Sequence, residues 1–120
     1  MVLKSEVGRA GEDKAAAYLT KQGYRIMARN LRSKLGEIDI IARDKNVVCF
    51  IEVRTRRAAF KQEEALASVG ILKQQKLSRL AVSFLKKNNL GKEKARFDVV
   101  AVSLEAREDA VFRRRYLCPI

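Results

Sequence analysis

GEIDIIARDKNVVCFIEVRTR, residues 36 to 56, reads as two apolar strands about a short turn, and each strand carries an acid where burial is expected. A carboxylate taken out of water costs several kcal/mol unless it is paired or holds a cation. The turn Asp44-Lys45-Asn46 separates a strand over 37–43 from one over 47–54. The second run, rich in Val, Cys, Phe and Ile, is apolar on both faces, as a central strand covered on both sides must be. Alternation places Glu37, Asp39 and Ile41 on one face of the first strand, and Val48, Phe50, Glu52 and Arg54 on one face of the second. Pairing about the turn sets Asp39 nearly opposite Glu52, so the two carboxylates are expected to meet.

Around this hairpin the remaining elements follow from periodicity. Residues 6–22 are rich in helix formers, with Val7, Gly11, Ala15, Tyr18 and Leu19 at helical spacing and Gly23 as a stop. Glu12 lies three, four and seven residues before Ala15, Ala16 and Leu19, and so borders the apolar face of that helix. Residues 24–31 form a first strand, 58–68 a loop or short irregular helix, and 69–88 a long amphipathic helix buried through Leu77, Leu80, Ala81, Phe84 and Leu85. Lys73, Gln74 and Lys76 stud its first half. Residues 96–102 form another apolar strand, and strand–helix–strand order implies a right-handed crossover with parallel pairing. The order α-β-β-β-α-β predicts an α/β fold, a sheet flanked by helices. The stretch 104–120 reads either as an edge strand around Val111 to Leu117 or as a basic tail.

Length and composition bound the rest. A chain of 120 residues, 48% apolar, suits one compact domain, its core over about 6–102 with an extension over 103–120. No apolar run approaches the roughly 20 residues of a membrane helix, and the start MVLKSEVGRA lacks the pattern of a signal peptide. Cys49 and Cys118 stand at no metal-ligand spacing, so a reduced, cytoplasmic protein with no membrane role is expected. There is no histidine, which removes the commonest general base and zinc ligand.

Lys and Arg number 26 against 14 acids, a net charge of +12, which draws polyanions, nucleic acid first among them. Arg54, Arg56 and Arg57 in RTRR, with Lys73 and Gln74 at the start of the second long helix, are the candidate phosphate contacts. Asp39, Glu52 and Glu12 are candidates for one acidic cluster. Oxygen ligands of this kind suit a hard cation, Mg²⁺ or Mn²⁺, beside a phosphodiester. Arg54 would stabilise charge developing on the phosphate. Salt bridges to nearby arginines are the alternative account of Asp39 and Glu52. Glu37 is read as a capping or pairing acid.

GEID followed by FIEVRTR resembles the D…(D/E)-x-K signature of restriction-endonuclease-like phosphodiesterases. With VGRAGEDKAAAYL, GYRIMARNLRSKLGEIDIIARD, KQQKLSRLAVSFL and RFDVV in order, the chain resembles the bacterial YraN family, related in fold to archaeal Holliday-junction resolvases. The resemblance covers residues 7 to 102. It implies a restriction-endonuclease-like αβββαβ core, DNA as partner (branched DNA included), a divalent metal cofactor, Mg or Mn, and a homodimer. Carried over by position, Glu12 matches the helix-borne acid, Asp39 the motif aspartate and Glu52 the acid of E-x-K. Arg54 stands where lysine is usual. Arginine stays protonated and cannot act as a base, so a catalytically inactive nucleic-acid-binding module is the alternative function. A basic scaffold binding ribosomes or another protein is a third.

Overall fold

The structure is a computed structural model that describes residues 5–56, 70–104 and 111–116; Arg57 and the stretch 58–68 lie outside the described residues. The order is α1 (Glu6–Lys21), β1 (Arg25–Ser33), β2 (Gly36–Asp44), β3 (Val47–Arg56), α2 (Ile71–Lys87), β4 (Lys94–Ser103) and β5 (Val111–Tyr116). Among the described residues the strands form one sheet in the order β1-β2-β3-β4-β5. Neighbours pair antiparallel except β3 and β4, which run parallel across α2. The C-terminal stretch therefore supplies an edge strand, the first of the two expected alternatives. No described helix is long and apolar enough to cross a membrane.

Local chemistry sets the element ends. Ser5 caps α1, its Oγ accepting the Gly8 N–H at 3.0 Å, and Gly23 at φ +96° turns the chain out of the helix. Lys45 takes a left-handed φ of 55° in the two-residue turn between paired Asp44 and Val47. Lys86 and Lys87 in the last turn of α2 oppose its C-terminal dipole.

Each face of the sheet carries its own core. Ala15, Ala16 and Leu19 of α1 pack on Ile40, Ala42, Cys49, Ile51, Val100 and Val102. Leu77, Leu80, Ala81 and Leu85 of α2 pack on Ile38, Ile41, Val48, Phe50 and Phe97. β3 is thus covered on both sides, as its uniformly apolar composition requires.

β2 departs from strict alternation. Ile38 and Ile41 both belong to the α2 core although they are three residues apart, while Ile40 belongs to the α1 core. The expectation that Ile41 shares a face with Glu37 and Asp39 is therefore wrong. Opposite the irregular stretch, Asn30 of β1 adopts a left-handed φ of 55°, yet Arg29↔Ile40 and Leu31↔Ile38 stay in step on either side of it; the register shift of this strand pair falls between Ile26 and Ala28.

Candidate metal and phosphate site

The site lies where β2 and β3 part. Their pairing runs from Asp44↔Val47 to Ile40↔Ile51, which brings Asp39 and Glu52 to the same level of the sheet. There the Asp39 side chain enters the backbone ladder: its Oδ2 accepts the Val53 N–H at 2.8 Å. An acid inside an apolar run is thus satisfied by a main-chain donor that the parting strands would otherwise strand.

Glu12 arrives from α1. Gly11 beside it has no room for a β-carbon against the Thr55 side chain, so the helix lies close on β3 and carries Glu12 inward to 1% exposure. Its Oε1 accepts from Asn30 Nδ2 at 2.8 Å and from Arg29 Nε at 3.2 Å. Asn30, at its left-handed φ, thus holds Glu12 directly. Arg29 also reaches Asp13 at 2.6 Å.

Carboxylate oxygens of Glu12, Glu37 and Asp39 lie within 4.8 Å of one another. Ligands on opposite sides of an octahedral Mg²⁺ stand about 4.2 Å apart, twice the metal–oxygen distance. The all-oxygen donor set and its spacing fit a hard divalent cation, Mg²⁺ or Mn²⁺. Glu37 is the acid that the pattern of residues did not single out as a ligand. It is half-buried, its Oε2 accepting from Arg32 Nε at 3.2 Å.

Glu52 lines the same cleft but stands outside that trio. The cleft, about 320 Å³, is bounded by Ser5, Gly8, Glu12, Asp39, Glu52 and Arg54 among others. Glu52 is buried, and its Oε1 accepts from Lys73 Nζ of α2 at 2.8 Å; Arg54 Nε lies 3.8 Å from the same oxygen. Burial pushes the Glu52 carboxyl above its ordinary range, Asp39 adds to that push, and Lys73 and Arg54 oppose it. Arg56 is exposed at the end of β3, and Gln74 is half-buried on α2 one residue past Lys73.

A second polar cluster sits at the other end of the sheet. Arg96 of β4, 8% exposed, gives Nε to Asp98 Oδ1 at 3.0 Å and Nη2 to Tyr24 Oη at 2.8 Å and Asp44 Oδ2 at 2.9 Å. Tyr24 Oη in turn donates to Asp98 Oδ2 at 3.3 Å. The RFDVV block thus marks a buried ion network that clamps β4 to the start of β1 and the β2–β3 turn. Asp44 and Tyr24 stand 52 to 74 positions from the Arg96–Asp98 pair they bond, which is why local pattern does not reveal the network.

A mixed sheet between helices in αβββαβ order, with acids gathered where its central strands part, defines a protein with a restriction-endonuclease-like core. The chain belongs to the UPF0102 family, the YraN family its motifs resemble: the sequence model of "Uncharacterised protein family UPF0102" matches residues 11–102. It is similar to a UPF0102 protein of Syntrophus aciditrophicus (strain SB), 46% identical over 105 residues that span 88% of this chain and 82% of that one. A UPF0102 protein of Trichlorobacter lovleyi (strain ATCC BAA-1151 / DSM 17278 / SZ) is 48% identical over 82% of this chain and 78% of its own. One of Caldicellulosiruptor saccharolyticus (strain ATCC 43494 / DSM 8903 / Tp8T 6331) is 40% identical over 90% of this chain and 91% of its own.

Proposed function

We propose that this protein is a metal-dependent nuclease acting on DNA phosphodiesters, branched DNA among them. The observation that carries this reading is the convergence of Glu12, Glu37 and Asp39 within 4.8 Å at a cleft also lined by Glu52 and Arg54, on a chain of net charge +12. Glu12 and Asp39 would hold a Mg²⁺ or Mn²⁺ ion, with Glu37 or Glu52 completing the carboxylate set. When bound, such an ion supplies Lewis acidity toward a phosphodiester and lowers the pKa of a bound water. The chain's own part is orientation and charge. Val53 fixes the Asp39 carboxylate, Asn30 and Arg29 fix Glu12, and Arg54 at the cleft wall presents a permanent cation to a phosphate. Arg56 and Lys73 would add cationic contacts to the backbone of the nucleic acid, with Gln74 a neutral donor beside them; Arg57, the other candidate contact, lies outside the described residues.

The test is incubation of the purified protein with supercoiled, linear and four-way-junction DNA in Mn²⁺ or in EDTA. Cleavage in Mn²⁺ that Asp39→Asn abolishes supports the enzyme. A second reading, DNA binding without hydrolysis, is favoured by the permanently charged guanidinium at position 54. Salt-sensitive binding with no cleavage at any Mn²⁺ concentration would select it. Absence of binding at low salt would sink both.

A further inference from the structure

Two cations flank Glu52, and they are not equivalent. Lys73 Nζ is hydrogen-bonded to Oε1 at 2.8 Å, whereas Arg54 Nε stays at 3.8 Å from that oxygen. The ammonium therefore occupies one of the two oxygens that Glu52 could offer a divalent ion. Two cations within bonding distance of one carboxylate oxygen repel, so Lys73 and a divalent ion compete for Glu52. Lys73 also has somewhere else to go. Its side chain is 43% exposed, and a lysine stem is a flexible tether for a compact charge. Glu52, at 8% exposure, has no comparable freedom.

We infer that Lys73 is a displaceable cation of this cleft: it holds Glu52 until a divalent ion takes that carboxylate, and the released ammonium then turns to a DNA phosphate. This rests on the metal-dependent reading above and adds a regulation to it. Metal and DNA then bind with positive coupling, because the metal frees a phosphate contact, and by reciprocity DNA tightens the metal. An arginine at position 73 would preserve the competition, since it keeps the charge; a methionine would remove it while keeping the length of the apolar stem.

The experiment has two measurements, neither of which is catalysis. Mn²⁺ is titrated into DNA-free protein and followed by electron paramagnetic resonance. Lys73→Met is expected to bind Mn²⁺ about fivefold more tightly than the unmodified chain, the scale of a lost partly exposed ion pair, and Lys73→Arg to stay near it. A DNA duplex is then titrated by fluorescence anisotropy in Ca²⁺, chosen to limit cleavage, or in EDTA. Ca²⁺ is expected to strengthen binding about fivefold in the unmodified protein and much less in Lys73→Met. If Lys73→Met binds Mn²⁺ no more tightly, or gains as much DNA affinity from Ca²⁺, the inference is overturned while the metal site stands. If the unmodified chain binds Mn²⁺ no better than Asp39→Asn, the metal-dependent reading falls, and this inference with it.

Discussion

Gly11 of α1 and Thr55 of β3 meet where no β-carbon fits: a methyl group built on Gly11 would overlap the Thr55 side chain. This contact lets α1 lie close on β3 and, with the bonds from Asn30 and Arg29, seats Glu12 inward. Gly11→Ala is expected to destabilise the fold by about 1–3 kcal/mol, the range for overpacking, despite alanine's better helix propensity. Trimming the partner should relieve most of the clash, so Gly11→Ala/Thr55→Ala, which removes both the Thr55 hydroxyl and methyl, should recover part of the loss. Denaturant midpoints of the three proteins decide it; an unchanged midpoint for Gly11→Ala would mean that the helix does not lie this close.

Asp39 has a structural duty and a proposed chemical one, and two substitutions separate them. Asp39→Asn keeps an oxygen for the Val53 N–H and should cost less than about 1 kcal/mol of stability; Asp39→Ala leaves that donor unpaired at a buried position and should cost about 1–3 kcal/mol. Both should lose Mn²⁺-dependent cleavage. Urea unfolding supplies the first comparison and plasmid nicking the second. Equal stability of the two variants would show that the Val53 bond contributes little.

Burial and the nearby Asp39 raise the Glu52 carboxyl above its unfolded value of about 4.3. The native state then binds this proton more readily than the unfolded chain, so this group's contribution to stability is greatest below pH of about 4.3. It falls as pH rises through the folded pKa. Glu52→Gln removes that slope. The variant should be at least as stable as the parent near neutral pH, and the difference between them should shrink toward acid. Unfolding free energies from pH 4 to pH 8 test the sign; a variant that becomes relatively less stable as pH rises would contradict it.

Arg96 neutralises Asp98, which is 1% exposed, and also binds Tyr24 and Asp44. Arg96→Met leaves Asp98 charged and buried and is expected to cost about 3–5 kcal/mol, a large share of the roughly 5–15 kcal/mol that holds a domain folded. Arg96→Met/Asp98→Leu should be less damaging than the single change, because the orphaned charge is gone. Thermal melts of both variants check this, and a double variant worse than the single one would point to packing instead of charge.

Buried Cys49, its thiol pushed up to about 12 chiefly by burial and then by Asp98, should resist alkylation at pH 8 in a Cys118→Ser chain until that chain is unfolded. Prompt modification under native conditions would place Cys49 nearer to solvent than it stands here.

The strands, the helices and the common level of Asp39 and Glu52 were legible because each depends on local pattern: alternation, a turn at Lys45 and the spacing of leucines. Glu37 was legible as sharing Asp39's face, but its nearness to Glu12 was not, because that depends on how α1 docks on the sheet. Lys73 could be read as a cation at a helix start but not as the partner of Glu52, because that pairing is made by the docking of α2. Arg96 and Asp98 stand two apart on one strand face, which was visible; their burial depends on Tyr24 and Asp44, which the chain supplies from afar.

The hydrogen bond from Val53 to Asp39 bears on what a ligand would have to overcome. A carboxylate steered by a main-chain amide has already given up its rotational freedom when the chain folds. Whatever docks beside it meets a fixed direction of approach, and the ordering penalty that weakens many flexible sites has been met before the visitor arrives.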